Sequence, residues 1–211
     1  MREQDTPAMN ILVVLAHPSP ESFNHAIAST VLEQLGKDGH AVNFHDLCAE
    51  GFDPLLPAQE IPKGATLDEG LSLHCRQLAE ADGIVIIHPN WWGQPPAVLK
   101  GWVDRVVRPG VAYKFVEGDG GEGVPEGLLK AKVALVFNTS NTPMDRERAV
   151  FGDPLEAIWK SCIFDLCGVR TFHRRMFSVI VTSTCEKRSE WLTEVREMTG
   201  ECFPPDRSIG P

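Results

Sequence analysis

Three stretches of this chain are apolar almost without interruption: Asn10-Ile-Leu-Val-Val-Leu-Ala16, Gly83-Ile-Val-Ile-Ile-His-Pro89 and Lys132-Val-Ala-Leu-Val-Phe-Asn138. A strand with one wet face alternates apolar and polar residues, whereas a Val- and Ile-rich run that does not alternate reads as a strand buried on both faces. Such strands need helices above and below them, and the intervening sequence supplies candidates. Apolar periodicity predicts helices over about 25–35, 67–81, 96–107, 153–166 and 188–199. Alternation over 41–46 predicts a further strand, and Thr171 to Thr182 holds the last one. Strands alternating with helices imply right-handed crossovers and a parallel sheet covered on both sides.

At 211 residues the chain is long enough for one domain with a full core. The expected organisation is a short disordered lead-in over 1–9, one domain over 10–200 and a tail over 201–211. Gly110 to Gly127 is rich in glycine and is expected to be a long, mobile loop. A formal net charge of -9 argues against nucleic acid or an anionic membrane as partner. No apolar run approaches the roughly 18–20 residues of a spanning helix, and Met1 to Ala8 does not read as a signal peptide. The expected compartment is the cytoplasm. Six scattered cysteines without a C-x-x-C are read as free thiols, and no metal site is expected.

In parallel α/β sheets, ligands sit beyond the carboxyl ends of the strands. Here the loops that follow the three buried runs are 17–24, 89–95 and 138–143. The first has no G-x-G-x-x-G and no glycine-rich Lys-Ser/Thr loop. It offers His17, Ser19, Ser22 and Asn24 just before a helix start, where hydroxyls, an amide and free backbone N–H groups suit a phosphate. Helix capping by Ser22 or Asn24 is the plainer reading, and the two are compatible. Glu21 is expected to point outward. The second loop, Pro89-Asn-Trp-Trp-Gly-Gln-Pro95, sets two aromatic faces at the sheet edge, which suits a planar conjugated ligand. Core packing of one tryptophan and an oligomer contact of the other is the competing reading. The third loop, Asn138-Thr-Ser-Asn-Thr-Pro143, offers hydrogen bonds to a ring edge or is an ordinary turn.

Other side chains are read as follows. His17 acts as a general acid or bonds phosphate or backbone. His88 is structural. Asp104 and Arg105 form an ion pair on a helix face or an interface. Lys100 and Trp102 pack between subunits or touch ligand, and Tyr113 reaches a substrate pocket. The pair Arg174-Arg175 binds a nicotinamide phosphate or sits on a solvated edge strand.

Taken together, Ala16-His-Pro-x4-Phe-Asn-x-Ala26, Asp46-Leu-x4-Phe-x-Pro54 and His88-Pro-x-Trp-Trp-Gly-x-x-Pro-Ala-x-Leu-Lys-Gly-Trp102 resemble the flavodoxin-like NAD(P)H:quinone reductases. Asp104-Arg105, Ala112-Tyr113 and Cys167-Gly168 continue the resemblance in order. It implies a three-layer α/β sandwich with a five-stranded parallel sheet in the order 2-1-3-4-5. It also implies a noncovalent flavin, FMN rather than FAD for want of the mammalian C-terminal extension, and NAD(P)H as co-substrate. His17, Ser19, Ser22, Phe23, Asn24 and Ala26 would hold the phosphate end. Pro89, Asn90, Trp91, Trp92 and Gly93 would line the ring, and Asn138, Thr139, Ser140 and Asn141 would complete its edge. Tyr113 and Trp92 would meet the substrate. The implied activity is two-electron, ping-pong reduction of a small quinone, nitroaromatic or azo acceptor by a homodimer with its sites at the interface. No catalytic side chain is assigned, because the stretch 144–153 lacks the Tyr and His that mammalian members use, and the third loop lacks the family's paired glycines. A one-electron carrier and a regulatory subunit of a potassium-efflux transporter are the alternatives.

Overall fold

The computed structural model describes residues 8–116, 123 and 125–205. Five parallel strands form the central sheet: β1 (Asn10–Leu15), β2 (Ala41–Asp46), β3 (Gly83–Pro89), β6 (Val133–Ser140) and β7 (Thr171–Ser178). Their order across the sheet is β2-β1-β3-β6-β7. Two further strands, β4 (Tyr113–Lys114) and β5 (Glu126–Gly127), pair antiparallel as a separate two-stranded ribbon. The main sheet thus has the expected five strands in the expected order.

The unbroken apolar runs follow from double coverage. Along β1, Ile11, Val13 and Leu15 enter a core under α1 (Phe23–Lys37) and α6 (Cys185–Cys202), while Leu12, Val14 and Ala16 enter the opposite core. That second core is covered by α2 (Glu69–Glu80), α3 (Ala97–Val106) and the helical segment after residue 153. β3 and β6 divide in the same way: Val85, Ile87, Leu135 and Phe137 go to one side, and Ile84, Ile86, Ala134 and Val136 to the other. Neither face of these strands meets water, so neither carries a polar alternation.

Several expectations are corrected. β6 extends two residues beyond Asn138. A helix that apolar periodicity does not predict, α4 (Met144–Phe151), follows it. The next helix starts as α5 (Pro154–Glu156) and continues as a π-helix over Ala157–Asp165. Bonding from i to i+5 makes side chains five apart near neighbours, and Trp159 stacks on Phe164 at 5.8 Å. The last helix begins at Cys185, and Phe203 just after it is fully buried, so the chain is still part of the core at residue 203. The base of the 110–127 loop is the β4–β5 ribbon; residues 117–122 and 124 of that loop, like 1–7 and 206–211, lie outside the described residues.

Arg105 is not paired with Asp104. It is buried and donates to both oxygens of Glu60, at 3.0 and 2.7 Å, while Asp104 pairs with Lys100 one helical turn back. Trp102 is 2% exposed and belongs to the chain's own core, where its indole donates to His74 Nδ1. Lys100 is exposed. Arg174 and Arg175 are both committed, Arg174 to Asp153, Glu156 and Asn138 and Arg175 to Glu194. α3 can approach the segment after β2 only because residue 101 is glycine: a Cβ there would lie 2.3 Å from the Pro54 backbone.

Two buried imidazoles are held neutral. His88 Nδ1–H donates to Pro89 O, and Nε2 accepts from both Trp159 Nε1 and Asn138 Nδ2. Burial pushes the pKa of His88, and that of His74, down to about 4. Unfolding returns both rings to the ordinary value near 6.5, so between those limits the unfolded chain binds more protons. Stability is therefore full above about pH 6.5 and is lost as the pH falls toward 4, by up to about 3 kcal/mol per ring. Urea midpoints measured across that range are expected to drop, with the His88 ring still neutral by NMR at about pH 5. Replacing Gly101 with Ala is expected to cost about 2 kcal/mol or more, read from the same transition at neutral pH.

Candidate functional site

A cleft of about 700 Å³ lies beyond the carboxyl ends of β1, β3 and β6. It is lined by the loop after β1, the Trp-Trp turn after β3, the end of β6, α4 and the start of α6.

One end of the cleft is the N-terminus of α1. Pro18 and Pro20 keep the preceding loop out of regular structure, and Ser22 takes extended backbone angles with its hydroxyl receiving the amide of His25, as an N-cap does. Capping satisfies that amide only. The Phe23 and Asn24 amides have no partner among the described residues, so two donors and the positive end of the helix dipole face the cleft. Arg188 of α6 lines the same end, held by Ser183 Oγ and Ile180 O, with its guanidinium 5.9 Å from the Phe23 ring.

Asn24 is 2% exposed; its Nδ2 bonds to Thr139 Oγ1 at 2.9 Å, and its Oδ1 is buried without a partner. The Thr139 hydroxyl can donate as well as accept, so the amide can also be exchanged end for end, which leaves an N–H in place of the oxygen. Either orientation leaves one amide group of Asn24 without a partner among the described residues.

His17 holds its position through Nδ1, which receives the Ser19 amide at 3.0 Å. The neutral ring then carries its proton on Nε2. Burial pushes the His17 pKa down, so it stays neutral at ordinary pH and acts as a donor rather than a cation. Its ring lies 6.0 Å from that of Trp91.

The other end is aromatic. Asn90 organises it: Oδ1 accepts from the Gly93 amide at 2.9 Å, Nδ2 donates to Glu147 Oε1 at 3.0 Å, and its backbone amide donates to Thr139 O. Trp91 and Gln94 close the turn with a pair of backbone bonds. Trp92 at the tip has φ of 58° and is 100% exposed. A left-handed conformation is uncommon for a large side chain and points to a constrained turn. Trp92 and Phe151 form an apolar rim to the cleft.

Most of the expected residues meet here. His17, Ser22, Phe23, Asn24, Pro89, Asn90, Trp91, Trp92, Gly93, Thr139, Ser140 and Asn141 all line the cleft. Ser19 and Ala26 do not, although the Ser19 amide fixes His17. Asn138 does not either: strand alternation turns it to the opposite face of β6, where it bonds His88 and Arg174. Tyr113 lies in the β4–β5 ribbon against Phe115 and outside this cleft. Glu21 is exposed as expected but borders the cleft.

The lining also includes Glu21, Thr142, Phe151, Pro154, Ile180, Arg188 and Glu147, which fall outside the expected set; of these, Arg188 and Glu147 bring charge from α6 and α4. The sequence marks Arg188 only as the start of a helix. Glu147 is 2% exposed, and its Oε2 has no hydrogen-bond partner among the described residues. A separate trio, His45, Glu50 and His74, brings its ligand-type atoms within 4.8 Å of one another. Trp102 donates to His74 Nδ1, so the neutral ring carries its proton on Nε2, 3.7 Å from Glu50; within the trio the hydrogen bond is between His45 Nδ1 and Glu50 Oε1, at 2.9 Å.

Comparison with known proteins places the chain. The family model described as "Flavodoxin-like fold" matches residues 9–196. An uncharacterised NAD(P)H oxidoreductase of Haemophilus influenzae is 33% identical, over 82% of this chain and 85% of its own. The mouse ribosyldihydronicotinamide dehydrogenase [quinone] is 27% identical over 92% and 96%. A solved NAD(P)H:quinone oxidoreductase of Methanothermobacter marburgensis superposes with a TM-score of 0.78 at 25% identity, over 91% and 96%.

Because Asn90 ties together Gly93, Glu147 and β6, replacing it with Ala is expected to cost about 2–3 kcal/mol. The check is the urea midpoint, with Asn90→Asp, which keeps the Gly93 bond, as the comparison; an Ala variant within about 0.5 kcal/mol of wild type would show that the turn holds itself.

Proposed function

The chain belongs to the flavodoxin-like NAD(P)H:quinone reductase family, and from that premise we propose that it is a flavin-dependent reductase taking hydride from NAD(P)H and delivering it to a quinone or similar small acceptor. The observation that carries this reading is the two-ended cleft, with unpaired donors at one end and indole faces at the other. The residues fit a flavin mononucleotide. The Phe23 and Asn24 amides, the Ser22 hydroxyl and Arg188 would hold its phosphate, and Trp91, Trp92 and the Pro89–Gly93 backbone would flank its ring. When bound, a flavin supplies two-electron hydride chemistry at N5.

The chain's own part is positioning and proton supply. Trp92 and Phe151 form an apolar rim that shields a planar reactant from water. Reducing a quinone to a hydroquinone takes one hydride and one proton. With no Tyr or His in the segment 144–153, Glu147 is the ionisable side chain of α4 that lines the cleft. Its Oε2, without a protein partner among the described residues, would accept from and orient a water that supplies the proton to the acceptor oxygen. A single shared place for nicotinamide and acceptor implies ping-pong kinetics.

The protein is also read as a cytoplasmic homodimer. Its six cysteines are free, which fits a reducing compartment, and no helix among the described residues is long and apolar enough to cross a membrane. A fully exposed Trp92 beside the exposed Val150 and Phe151 suits burial by a second subunit. Tyr113, outside its own chain's cleft, would meet substrate only in the partner's.

The direct test is an absorption spectrum after incubation with FMN, followed by NAD(P)H and then menadione. Flavin bands that bleach and return are expected, from a protein of dimeric mass by light scattering. A colourless protein would sink the reading. Glu147→Gln keeps the acceptor that orients Asn90 and removes the carboxylate that would orient the proton-donating water. It is expected to bind flavin normally and to slow quinone reduction about 10- to 100-fold while NAD(P)H oxidation by the bound flavin is little changed.

A further inference from the structure

The hydroxyl that caps α1 is connected to more than the helix. Ser22 Oγ lies 3.0 Å from His25 Nδ1, and His25 Nε2 lies 2.9 Å from Asp46 Oδ2 at the end of β2. Asp46 Oδ1 receives the amides of Cys48 and Ala49, so this side chain is used throughout as an acceptor. An ionised carboxylate can only accept. His25 Nε2 must then carry a proton, and in the neutral ring Nδ1 is left as an acceptor. The Ser22 hydroxyl proton points at Nδ1, while the oxygen also receives the His25 amide. In that state Ser22 has no proton left for the cleft and turns only lone pairs toward it.

Protonating His25 reverses this. Nδ1–H becomes the donor, Ser22 Oγ accepts from it, and the hydroxyl proton is free to turn into the cleft beside the Phe23 and Asn24 amides. The change adds a donor and a positive charge next to the helix N-terminus, at the end of the cleft where Asn24 is left with an unsatisfied buried atom. We propose that the Ser22–His25–Asp46 chain couples the binding of a phosphate dianion in this cleft to the uptake of one proton by His25. The identity of the ligand as a flavin phosphate rests on the reductase reading; the coupling itself rests on the hydrogen bonds.

A nucleophile triad has the same three residue types, but there the carboxylate meets Nδ1 and the serine meets Nε2. Here the two nitrogens are exchanged, and the serine oxygen is occupied as a helix cap. The other ionisable groups around His25 do not replace it. His17, whose ring stands edge-on at 6.4 Å, is held neutral by burial and has Nδ1 engaged by Ser19. Cys48 lies beyond Asp46, and burial pushes its thiol up. Glu21 and Arg188 border the same cleft and offer a fixed negative and a fixed positive charge.

The test compares FMN with riboflavin, which lacks the phosphate, by fluorescence quenching from about pH 6.5 to about pH 8.5, with NMR of the His25 ring during titration with inorganic phosphate. The phosphate's own second ionisation, near 6, makes the dianion more abundant as pH rises. Without coupling, FMN affinity would hold or increase across the range. With it, FMN affinity is expected to fall about five- to tenfold while riboflavin affinity stays level. In His25→Gln the slope is expected to vanish, and FMN affinity at the acid end to fall about tenfold with riboflavin unaffected. Inorganic phosphate is expected to move the wild-type His25 ring toward its protonated shifts. If both flavins bind but FMN affinity shows no fall of its own, or His25→Gln retains the fall, the coupling is overturned and the reductase reading stands. If neither flavin binds yet phosphate still protonates His25, the coupling stands and the flavin reading fails. If phosphate leaves the ring unmoved, the coupling is wrong whatever the flavins do.

Discussion

Double coverage of the sheet governs much of what this molecule can do. Strands β1, β3 and β6 spend their side chains on two cores, and their backbone groups on neighbouring strands. Along these strands nothing polar is left over for a ligand until the carboxyl edge. There the hydrogen-bond ladder stops, helices begin and donors are left without partners. The cleft lies at that edge for this reason.

What the edge holds is divided by charge and shape. The start of α1 contributes amides and a hydroxyl, with Arg188 brought alongside by α6, which packs against the same core as α1. The turn after β3 contributes indoles, held by one asparagine whose two amide atoms reach Gly93 and Glu147. Thr139 serves both ends, bonding Asn24 through its side chain and Asn90 through its carbonyl. A disturbance at either end is thus felt at the end of β6. Below the floor, His88 and Asn138 form a buried, hydrogen-bonded layer with Trp159 that ties the sheet to the π-helix.

The sheet is legible in the sequence because a short, uninterrupted run of Val and Ile suits a strand covered on both faces and little else. Most of the cleft is legible because the strand ends locate it. Asn138 departs from expectation because β6 runs on to Ser140: alternation along the longer strand puts Asn138 on the face of Val136 and away from Asn24. α4 escapes a reading by periodicity because Met144-Asp-Arg-Glu-Arg-Ala-Val-Phe151 is short, polar and mostly exposed, so it carries no apolar stripe. Pro143 immediately before it, with Asp145 and Glu147 in its first turn, is the available signal. Without α4 as a helix, nothing singles out Glu147. Arg105 and Arg174 are buried by carboxylates 45 and 21 residues away, a pairing that local sequence does not encode.

The strand order also has a kinetic side. Every pairing in the main sheet is parallel, so none can form as a local hairpin, and β1 must find β3 across 72 residues, as Ile11 opposite Gly83 shows. Loop-closure entropy has to be met before such contacts return anything, which slows folding relative to helical or hairpin-rich chains of the same length. The cleft draws on segments as far apart as His17 and Arg188. No fragment of the chain can therefore assemble it early, and on a chain emerging from synthesis it is complete only after α6 has docked.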